Sequence, residues 1–101
     1  MSKRPYTLDD AMDCVSSVAF SADSKLLASS SFDRKVRVYA FGQGAAPSLK
    51  HTFGDATDSV NSVAFSADSK LLASISNDNK VRVYGLDGGG EPKLQHTLDD
   101  A

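Results

Sequence analysis

The thirteen residues SVAFSADSKLLAS run from Ser17 to Ser29 and return, letter for letter, from Ser62 to Ser74. Aligned on this stretch, the chain matches itself at a constant offset of 45: Phe20 with Phe65, Asp33 with Asp78, Tyr39 with Tyr84, His51 with His96. A period in the low-to-mid forties marks an array of repeated supersecondary units. The match also runs past both copies. Tyr6-Thr7-Leu8 corresponds to His51-Thr52-Phe53 and to His96-Thr97-Leu98, while Asp99-Asp100-Ala101 repeats Asp9-Asp10-Ala11. The chain therefore reads as two 45-residue units and an overhang that repeats the start of a unit.

Short strands fill each unit. Val15 to Phe20 (VSSVAF) is β-branched and aromatic, with Val18 and Phe20 on one face. Ala22-Asp23-Ser24 turns the chain, Lys25 to Ser31 (KLLASSS) returns, and Phe32-Asp33-Arg34 turns it again. Lys35 to Phe41 (KVRVYAF) alternates, Val36 and Val38 on one side, Arg37 and Tyr39 on the other. A Gly/Ala/Pro-rich loop then leads to Ser48 to Phe53 (SLKHTF). No segment carries a sustained helical period. The expectation is an all-β chain of four antiparallel strands per unit, the pattern of a propeller blade.

SVAFSADSKLLASSSFDRKVRVYAF closely resembles the WD-repeat pattern of the WD40 β-propeller family, and the resemblance covers nearly the whole chain twice. It implies that Val15 to Phe20 is the innermost strand a, followed by b and c. It also implies that SLKHTF is an outer strand d belonging to the preceding blade. The segments expected are an overhang at 6–11, blade 1 at 12–53 and blade 2 at 57–98, all within one WD-repeat stretch, 1–101. The family's Gly-His before strand a is replaced by Asp10-Ala11 and Asp55-Ala56, and its Trp-Asp by Tyr39-Ala40 and Tyr84-Gly85. In the family that His, a turn Asp, a strand-b hydroxyl and the Trp form a buried relay. Here Asp33 and Asp78 remain, Ser29 and Ser74 offer hydroxyls, and Tyr39 and Tyr84 can donate; without the imidazole the full relay cannot form. The a–b turn reads Ala-Asp-Ser where the family has Pro-Asp-Gly. A non-glycine residue in a left-handed turn costs about 1–2 kcal/mol, so each blade should be less stable than a consensus repeat.

Composition narrows the function classes. Hydrophobic residues make up 41% and charged ones 24%, as in ordinary globular chains. A net charge of −2, with scattered Lys and Arg, lacks the basic stripe of a nucleic-acid binder. No apolar run approaches the roughly 20 residues of a membrane span, and the N-terminal MSKRPYTLDD lacks a signal-type apolar stretch. A single cysteine, Cys14, gives neither an internal disulfide nor metal-ligand spacing, which fits a reducing compartment, cytoplasmic or nuclear. His51 and His96 recur inside strand d with Tyr6 in the third equivalent position, so imidazole chemistry is not required there. The repeated Asp13/Asp58, Asp23/Asp68 and Asp33/Asp78 are turn residues. No nucleophile elbow, metal spacing or phosphate loop appears, and Gly88-Gly89-Gly90 lacks the context of a nucleotide site. No enzyme, cofactor or metal is expected, and a hydrolase-type propeller is a distant alternative.

Function is sought where the copies disagree. Substitutions concentrate at Met12/Thr57, Cys14/Ser59 and Ser16/Asn61, then at Ser30/Ile75, Phe32/Asn77 and Arg34/Asn79, at steps of two as on one face of an extended segment. By the resemblance, these lie on the top-face loops where partners dock. Met12, Cys14, Phe32, Arg34, Thr57, Ser59, Asn77 and Asn79 are the candidate contacts, with Met12 and Phe32 the strongest by interface chemistry. Drift at tolerant turn positions is the competing account. Arg37 and Arg82 are expected to pack against neighbouring blades. A repeat array needs about three units for independent stability, and two blades leave apolar faces open. The expectation is either assembly with copies of itself into a ring of even blade count, or a partial propeller that belongs with further WD-repeat blades as a fragment of a longer one. Because 6–11 and 96–101 are equivalent, one of them is surplus at each junction of a simple ring. The expected role is a protein–protein interaction scaffold; the alternative is a self-assembling structural fragment with no separate ligand.

Overall fold

The computed structural model of the chain describes residues 8, 10–41, 47–86 and 92–99. Tyr6, Thr7, Asp9, Asp100 and Ala101, and most of the loops expected at 40–46 and 85–90, lie outside the described residues. Eight strands follow in order: β1 Val15–Phe20, β2 Leu26–Ser31, β3 Val36–Ala40, β4 Ser48–Phe53, β5 Val60–Phe65, β6 Leu71–Ser76, β7 Lys80–Gly85 and β8 Lys93–Leu98. They form two four-stranded antiparallel sheets in sequential order, β1-β2-β3-β4 and β5-β6-β7-β8. Within each sheet consecutive strands are neighbours, and β4, the strand preceding β5, closes the first sheet as its outer strand. The all-β reading and the assignment of SLKHTF to the preceding blade agree with this topology.

The hairpin between β1 and β2 is built from the repeated letters. The Asp23 carboxylate accepts from the Ser21 hydroxyl at 2.6 Å and the Lys25 amide at 3.0 Å, while the Ser21 hydroxyl oxygen accepts from the Leu26 amide at 3.0 Å. Asp68 and Ser66 repeat these bonds in the second sheet. The hydroxyl and backbone donors on Asp23 and Asp68 hold both exposed carboxyls below the usual carboxylate value. The hairpin forces Ser24 and Ser69 to a φ of 61°, the left-handed region that a glycine would occupy without strain. Local side-chain bonds thus hold a turn that backbone preference alone disfavours.

The sheets stack face to face, and alternation decides which residues enter the junction. From the first sheet come Ala28, Val36 and Val38, all buried; from the second, Val60, Val63, Leu72 and Tyr84. Burying each of the valines and Leu72 stabilises the fold by about 1.5–3 kcal/mol. The Phe53 ring stacks on Tyr84 with centroids 4.1 Å apart, tying the outer strand of one sheet to the neighbouring sheet. The register shift between Val15 and Ser17 marks a bulge at Ser16 that turns this residue into the junction. Its hydroxyl donates to the Val60 carbonyl at 2.6 Å, so Ser30 must be the donor in the 2.8 Å bond between the two serines. At the opposite rim the Ala22 amide donates to the Ser69 hydroxyl at 3.1 Å.

Val18 and Phe20 share a face, as alternation requires, but that face is uncovered. Val18 is 59% exposed, whereas its copy Val63 is 6% exposed. The letters around the two valines are identical. Only one of them has a sheet in front of it.

Candidate functional site

Between β2 and β3 the chain turns at Asp33, and between β6 and β7 at Asp78. Asp33 accepts from Arg37 Nη2 at 2.8 Å, the Lys35 amide at 3.1 Å and the Met12 amide at 2.9 Å, and from the Ser31 hydroxyl. Asp78 accepts from the Lys80 amide at 3.1 Å, the Thr57 amide at 3.0 Å and the Thr57 hydroxyl at 3.2 Å, and from the Ser76 hydroxyl. Its ion pair with Arg82 Nη2 is 2.9 Å long. In both pairs neither side chain is more than 10% exposed. Burial by itself would raise these carboxyls. The hydrogen bonds from arginine, serine and the loop amide, with the arginine charge, outweigh it and hold both far below the usual carboxylate range.

One expectation needs correction here. The hydroxyl at each aspartate belongs to Ser31 and Ser76, whereas Ser29 and Ser74 are buried within their strands opposite Arg37 and Arg82. The correction follows from the tight turn, in which an aspartate reaches two residues back. The arginines Arg37 and Arg82, four residues on, come alongside it and pair within their own sheet.

The tyrosines find a partner that the sequence did not single out. The Tyr39 hydroxyl donates to Asp10 Oδ2 at 2.9 Å, and the Tyr84 hydroxyl donates to Asp55 Oδ2 at the same distance. Burial, with this carboxylate beside it, pushes the Tyr84 hydroxyl well above its ordinary value. Each pair is 29 residues apart, so recurrence of Asp10/Asp55 with Tyr39/Tyr84 was the available signal. The position where a glycine was expected thus carries the acceptor that replaces the missing imidazole.

These clamps bring the loop before each sheet against the turn between its second and third strands. The Phe32 amide donates to the Cys14 carbonyl at 2.9 Å, and the Asn77 amide donates to the Ser59 carbonyl at 2.8 Å. Met12, Cys14, Phe32 and Arg34 are therefore neighbours on one rim, all exposed, with Met12 85% exposed. Thr57, Ser59, Asn77 and Asn79 occupy the same rim of the second sheet. Arg34 and Asn79 hold φ values of 72° and 67°, a conformation asparagine tolerates better than arginine. In the first sheet Ser16 and Ser30 turn into the sheet junction, while in the second the Asn61 amide donates to Asn77 on the rim, so the steps of two do not mark one face.

His51 lies half-buried against Phe53 on β4, and His96 is exposed on β8. Among the described residues no three His, Cys, Asp or Glu side chains converge as metal ligands, and no helix is long and apolar enough to cross a membrane. The sequence matches the WD domain, G-beta repeat (WD40) family over residues 2–40 and 47–85, most of the chain and every strand but β8.

The chain belongs to the WD-repeat family.

No curated protein matches it. The two sheets are accordingly WD blades, β1 to β3 and β5 to β7 their a, b and c strands, with β4 and β8 the outer d strands. In these WD blades the buried relay has been rebuilt as two separate devices, an Arg-Asp-Ser clamp and a Tyr-Asp bond. Both hold the rim loops from beneath.

Proposed function

We propose that this WD-repeat chain is a non-enzymatic protein–protein interaction module that takes a protein or peptide partner on the rim of the d–a loops and b–c turns. WD repeats generally mediate protein–protein interaction or scaffolding, and the chain's membership of the family gives that broad role. The observation that carries the finer reading is the contrast between constant support and variable presentation. Beneath the rim, Asp, Ser, Arg and Tyr recur without change at the 45-residue offset; above it, the side chains differ at every candidate position.

The two rims also differ in chemistry. Blade 1 presents a methionine, a thiol, a phenyl ring and a guanidinium; blade 2 presents two small hydroxyls and two amides. A partner that buries an apolar side chain between Met12 and Phe32, with an acidic group toward Arg34, would engage blade 1 as its anchor. Thr57, Ser59, Asn77 and Asn79 would add polar contacts around it.

Capture of partners on immobilised chain, quantified by mass spectrometry, checks this reading. The variant Met12→Ala with Phe32→Ala is expected to retain the fold and bind the captured partner at least about tenfold more weakly, since losing a hot spot costs about 2 kcal/mol. Unchanged capture by that variant would assign the divergent rim to drift.

A further inference from the structure

The junction between the blades has an uncovered duplicate at each end of the pair. On the outer side of blade 1, Leu8, Ala11, Val15, Val18, Leu27 and Tyr39 line a hollow of about 210 Å³. Shifted by 45, five of these positions are Ala56, Val60, Val63, Leu72 and Tyr84, which receive blade 1 inside the chain, and the sixth, Leu8, is the copy of Phe53. The hollow is thus a second seat for a WD blade, open to solvent.

The outer side of blade 2 carries the matching surface. The side of blade 1 that fills the internal seat is made of Ala28, Val36 and Val38, with Phe53 stacked on Tyr84. Their copies are Ala73, Val81, Val83 and Leu98, identical in type except that leucine replaces the ring. Where Ser30 is buried in the internal junction, blade 2 places Ile75, 48% exposed, and Leu71 and Leu98 lie exposed on the same sheet. Alternation puts Leu71, Ala73 and Ile75 on one face of β6, opposite the face that holds Leu72 and Ser74. A serine-to-isoleucine change that enlarges an apolar patch in solvent serves a surface that is covered.

We infer that the outer face of blade 2 in one chain seats in the hollow on blade 1 of a second copy, head to tail. The contact repeats the internal junction, with Ala73, Val81 and Val83 taking the part of Ala28, Val36 and Val38, and Val18 and Leu27 that of Val63 and Leu72. The incoming Leu98, also a copy of Phe53, would displace Leu8 from the hollow. The interface is heterologous, so each chain has one seat and one insert.

That property supplies the test. Val18→Asp blocks the seat and leaves the insert; Ile75→Asp blocks the insert and leaves the seat. Both side chains are about half exposed in the single chain and stand on its open faces, so circular dichroism and thermal unfolding of the variants at low concentration should stay close to the parent. Light scattering over a concentration series is expected to give a mass rising from one chain toward whole multiples for the parent. Each variant alone should stay at one chain, with association weakened at least about tenfold, a shift of about 1.4 kcal/mol. Mixed in equal amounts, the two variants should form a two-chain complex, because the intact insert of one meets the intact seat of the other. A parent that stays at one chain overturns the inference, and so does a variant that still associates alone or a mixture that does not pair.

Discussion

Replacing Asp78 by Asn is expected to destabilise the chain by about 3–5 kcal/mol, read as a fall in the midpoint of urea unfolding. Small domains hold about 5–15 kcal/mol in all, so this near-isosteric change removes a large share. The cause is the arginine left behind. Arg82 is buried, and the substituted amide would give its guanidinium only a neutral oxygen. Thr57, whose amide and hydroxyl both donate to the carboxylate, would lose its charged acceptor and loosen the rim. Asp33→Asn should act likewise on blade 1 through Arg37 and Met12. Adding Arg82→Met to Asp78→Asn should recover part of the loss, because the buried charge goes with it.

Acid should reproduce the effect. Both carboxyls lie lower in the folded chain than the value of about 3.9 for an unfolded aspartate. The folded state therefore binds fewer protons, and their stabilisation is complete above about pH 4 and lost as pH falls toward their folded values. Urea midpoints should be flat from neutrality to about pH 5 and fall below about pH 4, more steeply in the parent than in Asp78→Asn. Parallel slopes would show that other groups govern acid unfolding.

The second large effect sets two identical valines against each other. Val63→Asp should cost at least about 3 kcal/mol, because it places an unpaired carboxylate among Val38, Val60, Leu72 and Tyr84 in the junction. Val18→Asp, at the same position of the repeat and inside the same letters, should change single-chain stability by no more than about 0.5 kcal/mol. Equal losses at both sites, measured by urea unfolding at low concentration, would contradict the account of the junction.

That pair also illustrates what the sequence could and could not reveal. The 45-residue offset and the alternation of VSSVAF and KVRVYA were enough for the strands, their order and the blade architecture, because each depends on local pattern and repetition. Burial of a blade face depends on what stands in front of it. Identical letters at Val18 and Val63 carry no information about that. The clamp was legible in its aspartate but not in its serine. Ser29 and Ser31 lie on the same face of one strand, so periodicity cannot choose between them; the reach of a two-residue turn does. The bulge at Ser16 had a similar consequence, since one extra residue sends a side chain from the rim into the junction. The Tyr-Asp bonds were not legible because the family's relay runs through the histidine position, one residue after the aspartate that makes the bond here.

Hydrogen exchange followed against protein concentration tests the central claim most directly, namely that the chain is a two-blade unit whose open seat repeats its own junction. In dilute solution the paired amides of β1 should exchange faster than those of β5, although VSSVAF and VNSVAF differ at one letter, since β5 buries Val60 and Val63 in the junction while Val15 and Val18 of β1 stay exposed. Raising the concentration should slow exchange in β1 and leave β5 unchanged, as a second copy covers the first blade. Equal protection of the two strands in dilute solution, or a β1 whose exchange ignores concentration, would contradict it.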